Sequence, residues 1–488
     1  MRAPSPLCIG PWPRHRMMIT WLALFCLLPL APSVEAAEIR TGATGPALSQ
    51  DPALVALVKE AMERRPELVQ ARAQIHAEGE RIPQSRALPD PTLSLGIQND
   101  GFTGIQIGKM ETSFLAVTAS QTFPWTGKRE LRAETANLGA RAAEADLRRT
   151  LLTITADTER AYLDLLLVRD QLSLLAKRET LWSQSEGLAR ARYQAGEGPQ
   201  SDYLRAQLER QRLRQQSWAL EAEERRRIAV LNRLRGHPLG EPIATERTLA
   251  DLPDPLEPDP NQAMVDAETD SPELKKALLA GEQAGRRVEL AKKERWPDVT
   301  VVAGIMPRWG NYATMWQAGV ALNLPVWTAQ KQSRSIAENQ ARGIAALSGA
   351  EAIRQVLRQR ISERLTALHA LVAANRLYRS ELLVQSEATA ASTMVQYQVG
   401  RVTFASVLEA LVGYLADRNA FLVSVADAQR IAIAQREISL DALGATSGAA
   451  MGGSPIPGSG DASAASSPSG PASGQLEGVE GGSAMSRR

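Results

Sequence analysis

Thr92-Leu93-Ser94-Leu95-Gly96-Ile97-Gln98 alternates without a break between apolar residues and small or polar ones. Successive residues of a strand point to opposite faces, so this stretch has one apolar face and one polar face. Three other stretches behave alike. Val299, Val301, Ala303 and Ile305 share a face opposite Thr300, Val302 and Gly304. Trp316, Ala318, Val320, Leu322 and Leu324 share a face opposite Gln317, Gly319, Ala321 and Asn323, and Ser113 to Phe123 alternates less cleanly. Such a pattern suits a barrel wall with lipid outside and water inside. A half-buried hairpin in a soluble protein gives the same alternation. Four strands cannot close a barrel, and an open sheet in lipid leaves edge amides and carbonyls unpaired at several kcal/mol each. If these strands enter a membrane, several copies must share one barrel, and three copies supply twelve strands.

The surroundings of the strands are duplicated. Pro66-Glu67-Leu68 recurs as Pro272-Glu273-Leu274, and Leu88-Pro89-Asp90-Pro91-Thr92 as Trp296-Pro297-Asp298-Val299-Thr300. Phe123-Pro124-Trp125-Thr126 is echoed by Leu324-Pro325-Val326-Trp327-Thr328, and Tyr193-Gln194-Ala195-Gly196 by Tyr397-Gln398-Val399-Gly400. Each half, 37–248 and 261–445, is expected to hold a helical segment, two strands, a very long helix, a glycine turn and a returning helix. The first half is expected to place its strands at 92–98 and 113–123 and its helical hairpin at 128–235. The second places strands at 299–305 and 316–324 and a hairpin at 330–443. The Pro- and Asp-rich stretch 249–260 links them. A helix of about 67 residues is roughly 100 Å long, beyond any globular domain of this size. Ile154, Ala161, Val168 and Leu175 recur every seven residues, with Leu165 and Leu172 between them, as a coiled-coil seam requires. Ile361, Leu365, Leu368 and Val372 match them, and Leu408, Leu411, Leu415, Leu422 and Val425 line the returning helix. The fold class is mainly α with a membrane β portion, internally duplicated. An elongated coiled-coil scaffold is the plain alternative on the helices alone.

Composition narrows the function. The 488 residues hold 56 Lys and Arg, 54 Asp and Glu, and 5% aromatics. Arg14-His15-Arg16, the apolar run Met17 to Leu30, and Val34-Glu35-Ala36 read as a secretory leader over 1–36. Its removal leaves 53 basic and 53 acidic residues, and no basic field for nucleic acid. Cys8 and Cys26 both fall in the leader, and Phe25 before Cys26 disfavours a lipoprotein signal. The rest of the chain therefore has no disulfide, thiolate metal site or Cys nucleophile. His76, His237 and His369 lie far apart, so no metal site is expected. Gly127-Lys128-Arg129 is not a phosphate loop, and no nucleophile–base spacing appears. An enzyme is not expected, and neither is a cofactor. The stretch 446–488 is Gly, Ser, Ala and Pro and reads as disordered. Trp125, Trp296, Trp309, Trp316 and Trp327 cluster around the strands, as membrane-interface or packing residues.

The duplicated plan and the two Tyr-Gln-x-Gly turns resemble the outer-membrane factors of tripartite efflux and secretion systems, the TolC-like family. The turns are followed by Ser201-Asp202-Tyr203-Leu204-Arg205-Ala206 and Ala405-Ser406-Val407-Leu408-Glu409-Ala410. The resemblance covers residues 50–443. Ala87-Leu88-Pro89-Asp90-Pro91 and Gln121-Thr122-Phe123-Pro124-Trp125-Thr126-Gly127-Lys128 resemble the branch serving heavy-metal exporters of the resistance-nodulation-division type. The resemblance implies a homotrimer whose twelve-stranded β-barrel sits in outer-membrane lipid and whose α-barrel crosses the periplasm. It implies a periplasmic adaptor (membrane fusion) protein and an inner-membrane pump as partners, with the chain conducting passively. The adaptor would dock on tips bearing Gly196, Gly198, Gly400 and Thr403. The family closes its periplasmic end with polar links, and Asp202 and Tyr397 match those positions. Arg401 lies one place from the expected Arg, Ser406 replaces an acid and Glu409 replaces another. Drug, metal and type I protein export all fit, and a soluble periplasmic adaptor is the alternative from another class. An adaptor would carry one hairpin between small β domains, not two hairpins with paired strands.

Overall fold

The structure is a computed structural model and describes residues 51–442. The expected leader 1–36 and the tail 446–488 lie outside the described residues. The described residues up to Leu440 form one unit.

The first half opens with α1 (Pro52–Arg64) and α2 (Pro66–Arg86). Asp51 caps α1 by accepting from the Ala53 amide at 3.0 Å, and Pro52 fills the first position, where no amide is needed. The other Asp51 carboxyl oxygen accepts the Tyr162 hydroxyl at 2.7 Å, which fixes this helix to the long one behind it. Pro66 forces Arg65 into extended backbone and separates the two helices. The second half uses the same device. After the short α5 (Pro260–Asp270), Ser271 caps α6 (Pro272–Lys293) by accepting from Leu274 N. Leu68 and Leu274, equivalent in the repeat, are both buried.

Each half then makes two strands. β1 (Thr92–Gln98), β2 (Phe114–Phe123), β3 (Val299–Met306) and β4 (Met315–Leu322) form one antiparallel sheet in chain order. Repeat one and repeat two meet at the β2–β3 pair, where Val117 faces Ile305 and Phe123 faces Val299. The register gathers Leu93, Leu95, Ile97, Val117, Val301, Ile305, Trp316 and Val320 on one face. All but the half-buried Val117 are exposed in the single chain: Leu95 is 72% and Val320 67% exposed. The opposite face is mostly small or polar, with Phe114, Val302, Met306 and Met315 as its larger apolar members, and is hydrogen-bonded across strands. Thr92 and Ser120 hydroxyls lie 2.6 Å apart, and Thr122 and Thr300 2.9 Å. Gln121 is the polar exception on the apolar face. It sits at the helix-side end and donates to the Pro89 and Thr122 carbonyls.

Below the sheet run the hairpins. α3 (Lys128–Gln194) has 67 residues and returns as α4 (Gln200–Arg235). α7 (Gln332–Leu377) continues through a π-helical turn at Tyr378–Leu382 into α8 (Leu383–Gln398), which returns as α9 (Phe404–Glu437). Ile154, Ala161, Leu165, Val168 and Leu175 are buried along α3, as are Ile361, Leu368 and Val372 on α7. The fold thus combines long helices with a four-stranded sheet, mainly α with a β portion. Among the described residues no helix is long and apolar enough to cross a membrane.

Several bounds differ from the sequence reading. The segment 330–398 is not one uninterrupted helix, because the π-turn inserts a residue into the hydrogen-bond ladder. Arg379 in that turn pairs with Asp254 of the linker and donates to the Leu252 carbonyl, so tertiary bonds anchor the defect. The returning helix ends at Glu437, because Ile438 takes a left-handed backbone with φ 55°. β4 stops at Leu322, before Leu324-Pro325, since proline cannot extend the ladder. The Pro- and Asp-rich linker gives way to α5, capped by Asp259 through the Gln262 amide.

Candidate functional site

The two hairpin tips lie side by side at the end of the helices away from the sheet. The first is a left-handed turn: Gly196 has φ 76°, and Gln194 to Pro199 joins α3 to α4. The second repeats it with Gly400 at φ 72°. Glycine takes such a backbone without the Cβ clash that other residues suffer there. Gly198 serves differently, by close approach: a Cβ there would lie 3.3 Å from the Arg192 Cβ. Thr403 caps α9, its hydroxyl accepting from the Ser406 amide at 3.4 Å. All four residues named from the sequence therefore shape the turns.

Arg192 joins the tips, and sequence reading passed over it. Its guanidinium donates to the Tyr397 carbonyl at 2.5 Å and to the Glu197 carbonyl at 3.3 Å. It also lies 4.9 Å from the Tyr397 ring centroid, a cation–π placement. Beneath it Tyr397, Phe404 and the fully buried Trp182 pack in sequence, with centroid separations of 5.5 and 6.5 Å. Ala189, Ala206, Val407 and Leu411 close this small core between the hairpins.

Of the gate candidates, the structure brings two together. The Tyr397 hydroxyl points at the Asp202 carboxylate across a long 3.4 Å contact. Burial foremost, then the charge of Asp202, holds that hydroxyl above the usual phenol range, and Arg192 pulls the other way. Arg401 and Glu409 are both exposed, and neither pairs with another side chain among the described residues. Farther up, Asp164 on α3 binds Arg227 of α4 and Arg430 of α9, each at 2.6 Å, so one carboxylate ties the two hairpins together.

A second constellation sits where the helices meet the sheet. The Lys128 side chain is 4% exposed, and its ammonium donates to Asp298 at 2.7 Å and to the Trp296 carbonyl at 2.9 Å. Asp298 also accepts the Trp125 amide at 2.8 Å, and the Trp125 and Trp296 rings stack at 5.2 Å and 10°. This clasp locks the start of α3 in repeat one to the start of β3 in repeat two. Two of the five tryptophans thus pack on each other at the strand ends.

The histidines are dispersed: His76 approaches Glu80, His237 lies among Arg64, Glu60 and Glu241, and His369 meets Glu257. Among the described residues no group of three or more His, Cys, Asp or Glu could hold a metal ion.

Residues 57–237 match the family described as outer membrane efflux protein. A comparison with curated proteins finds no match. Among solved structures, the outer-membrane channel OprN superposes with TM-score 0.66 at 18% identity, covering 80% of this chain and 91% of that one. VceC, an outer membrane protein of Vibrio cholerae, gives 0.65 at 18% identity over 81% and 98%. The open state of the MtrE outer membrane channel of Neisseria gonorrhoeae gives 0.66 at 17% over 80% and 89%. At these identities the likeness is one of fold, and it spans both halves of the chain. The first repeat thus matches the outer membrane efflux protein family, and the fold carried across both repeats is that of the outer-membrane channels.

Proposed function

We propose that three copies of this chain form a passive export duct, which receives cargo from a periplasmic adaptor and an inner-membrane pump. The carrying observation is the sheet: one apolar face, one small and polar face, and unpaired edges at β1 and β4. In lipid those edges must be paired. Two copies would give a barrel of about eight strands, whose interior side chains fill, whereas three give twelve strands and room for water. The helical hairpins then continue the wall on the periplasmic side. The tips, with Gly196, Gly198, Gly400 and Thr403, are the adaptor-docking end. Asp202, Tyr397, Arg401 and Glu409 are the gate residues. Asp202 and Tyr397 already meet within one chain, and the exposed Arg401 and Glu409 are free to meet neighbours. The pump is proposed to be of the resistance-nodulation-division type, and heavy-metal cations are the proposed cargo on the motifs at 87–91 and 121–128. Metal selection would then fall to pump and adaptor.

Planar-bilayer recording tests this reading. The purified full chain is expected to give discrete ion-conducting steps. A folded protein that adds no conductance to the bilayer would refute the duct.

A further inference from the structure

Six of the chain's eleven methionines lie among the described residues. Met62, Met264 and Met394 pack against buried apolar clusters, the usual place for a flexible apolar side chain. The other three, Met110, Met306 and Met315, gather at the end of the sheet away from the helices. Met306 ends β3, Met315 begins β4, and the register sets the two directly opposite each other. Both stand on the mostly polar face, in line with Gly304 and Gln317. That is the face the duct reading turns to water. A methionine there gives up burial worth about 1.5–3 kcal/mol to such a side chain.

The wall beside the pair is bare. One step past Val117–Ile305, the β2–β3 ladder brings Ala116 next to Met306, and Leu115 N continues that ladder by donating to the Pro307 carbonyl at 3.3 Å. Ala116 in turn faces Gly96. The row across the sheet therefore reads Gly96, Ala116, Met306, Met315, with nothing larger than a methyl beside the thioethers. Inward, Gly304 has no side chain, and Gln317 reaches across it to donate to the Thr118 hydroxyl at 3.4 Å. Outward, Phe114 stands on β2, and Arg308 is drawn into its own loop. Its guanidinium donates to the Ala313 carbonyl at 2.9 Å and the Glu111 carbonyl at 3.1 Å, with the Glu111 carboxylate 4.0 Å away to offset the charge.

Opposed residues of an antiparallel pair have Cβ atoms about 4.5–5.5 Å apart, so two flexible thioethers can close on one ion between them. Thioether sulfur is a soft, neutral donor that favours ions such as Cu(I) over hard ones. We infer that Met306 and Met315 form a two-sulfur site for a soft monovalent cation of the Cu(I) or Ag(I) class, at the outer mouth of the duct. Three copies would set three such pairs at one level of the wall. The inference rests on the duct reading for its water face and narrows the proposed heavy-metal cargo to soft ions. Selection still falls upstream, since an exit site must hold its ion weakly enough to release it.

Silver(I), which needs no reductant, is the probe. The purified full chain in detergent and chloride-free nitrate buffer is titrated with silver nitrate by equilibrium dialysis. Met306→Leu and Met315→Leu keep side-chain volume, and each should weaken silver binding at least about tenfold, as loss of a ligand does. Met264→Leu, in a packed cluster, should leave binding unchanged, and excess K⁺ should displace none. None of these variants alters Cys8 or Cys26, so a loss confined to the two strand variants belongs to the thioether pair. Conductance steps in the bilayer assay show that each variant has assembled. Silver binding equal in wild type and both strand variants, or lost equally in Met264→Leu, overturns the site. The pair lies within one chain, so the two readings fail separately. A methionine-dependent silver site on a chain that carries no current would overturn the duct and leave the site. A conducting chain without that dependence would overturn the site and leave the duct.

Discussion

Asp298→Ala removes the one carboxylate among the described residues that touches the buried Lys128 ammonium. The Trp296 carbonyl at 2.9 Å remains, but it carries no charge. Breaking a buried pair from one side costs about 3–5 kcal/mol, because the other charge is left desolvated. Lys128→Met keeps most of the stem packing and removes the charge itself. Asp298 is then left with a side chain 28% exposed to solvent and still bonded to the Trp125 amide, so the cost is smaller, about 1–2 kcal/mol. The double variant should cost less than the two singles together by about 2 kcal/mol, since residues sharing one interaction are not additive. Urea unfolding of the protein in lipid vesicles measures this cycle. Tryptophan fluorescence is a local reporter, because the Trp125–Trp296 stack rests on the same clasp. A coupling below about 0.5 kcal/mol would refute the reasoning, since independent sites give that value.

Three further outcomes follow from the tips. Gly400→Val forces a β-branched residue into a φ of 72° and sets its Cβ 3.2 Å from an Arg192 nitrogen, so the turn is strained by about 1–2 kcal/mol. Export, scored as toxin sensitivity of a complemented deletion strain, should fall while assembly persists; wild-type export would count against tip docking. Tyr397→Phe should remove one late-titrating phenol from the ultraviolet titration of the folded protein, because this hydroxyl ionises above the free value. With the folded pKa raised, its contribution to stability is complete below about pH 10 and fades as pH climbs through the folded value. A titration curve unchanged by the substitution would contradict that environment. Glu409→Gln removes an exposed acid close to the tip and should reduce cation preference in single-channel recording; unchanged selectivity would take Glu409 out of the gate.

The parts legible in the sequence were those set by local rules. Strict alternation marked β1 and β3, and the recurring Pro66 and Pro272 stand at helix starts, where the missing amide costs nothing, although Pro83 is carried inside α2. Gly196 and Gly400 marked the tips, because the left-handed turn excludes most other residues. What escaped depends on partners distant in the chain. The π-turn at 378–382 contains no Gly or Pro, and its Arg379 is held by Asp254, which lies 125 residues away. Ile438 ends α9 without the glycine that usually signals such an end. Arg192 is one arginine among many along α3, and only the crossing of the second hairpin gives it Tyr397 to bind. The Lys128–Asp298 clasp spans 170 residues and needed the sheet to bring the repeats together.

The central claim is that one chain supplies four strands of a ring that only sister copies can close. Native mass spectrometry of the purified full chain, released from detergent, counts those copies directly. The account predicts a species of three chains that persists until the micelle is stripped. A species of one or two chains, with the four-stranded sheet intact by infrared amide bands, would contradict it.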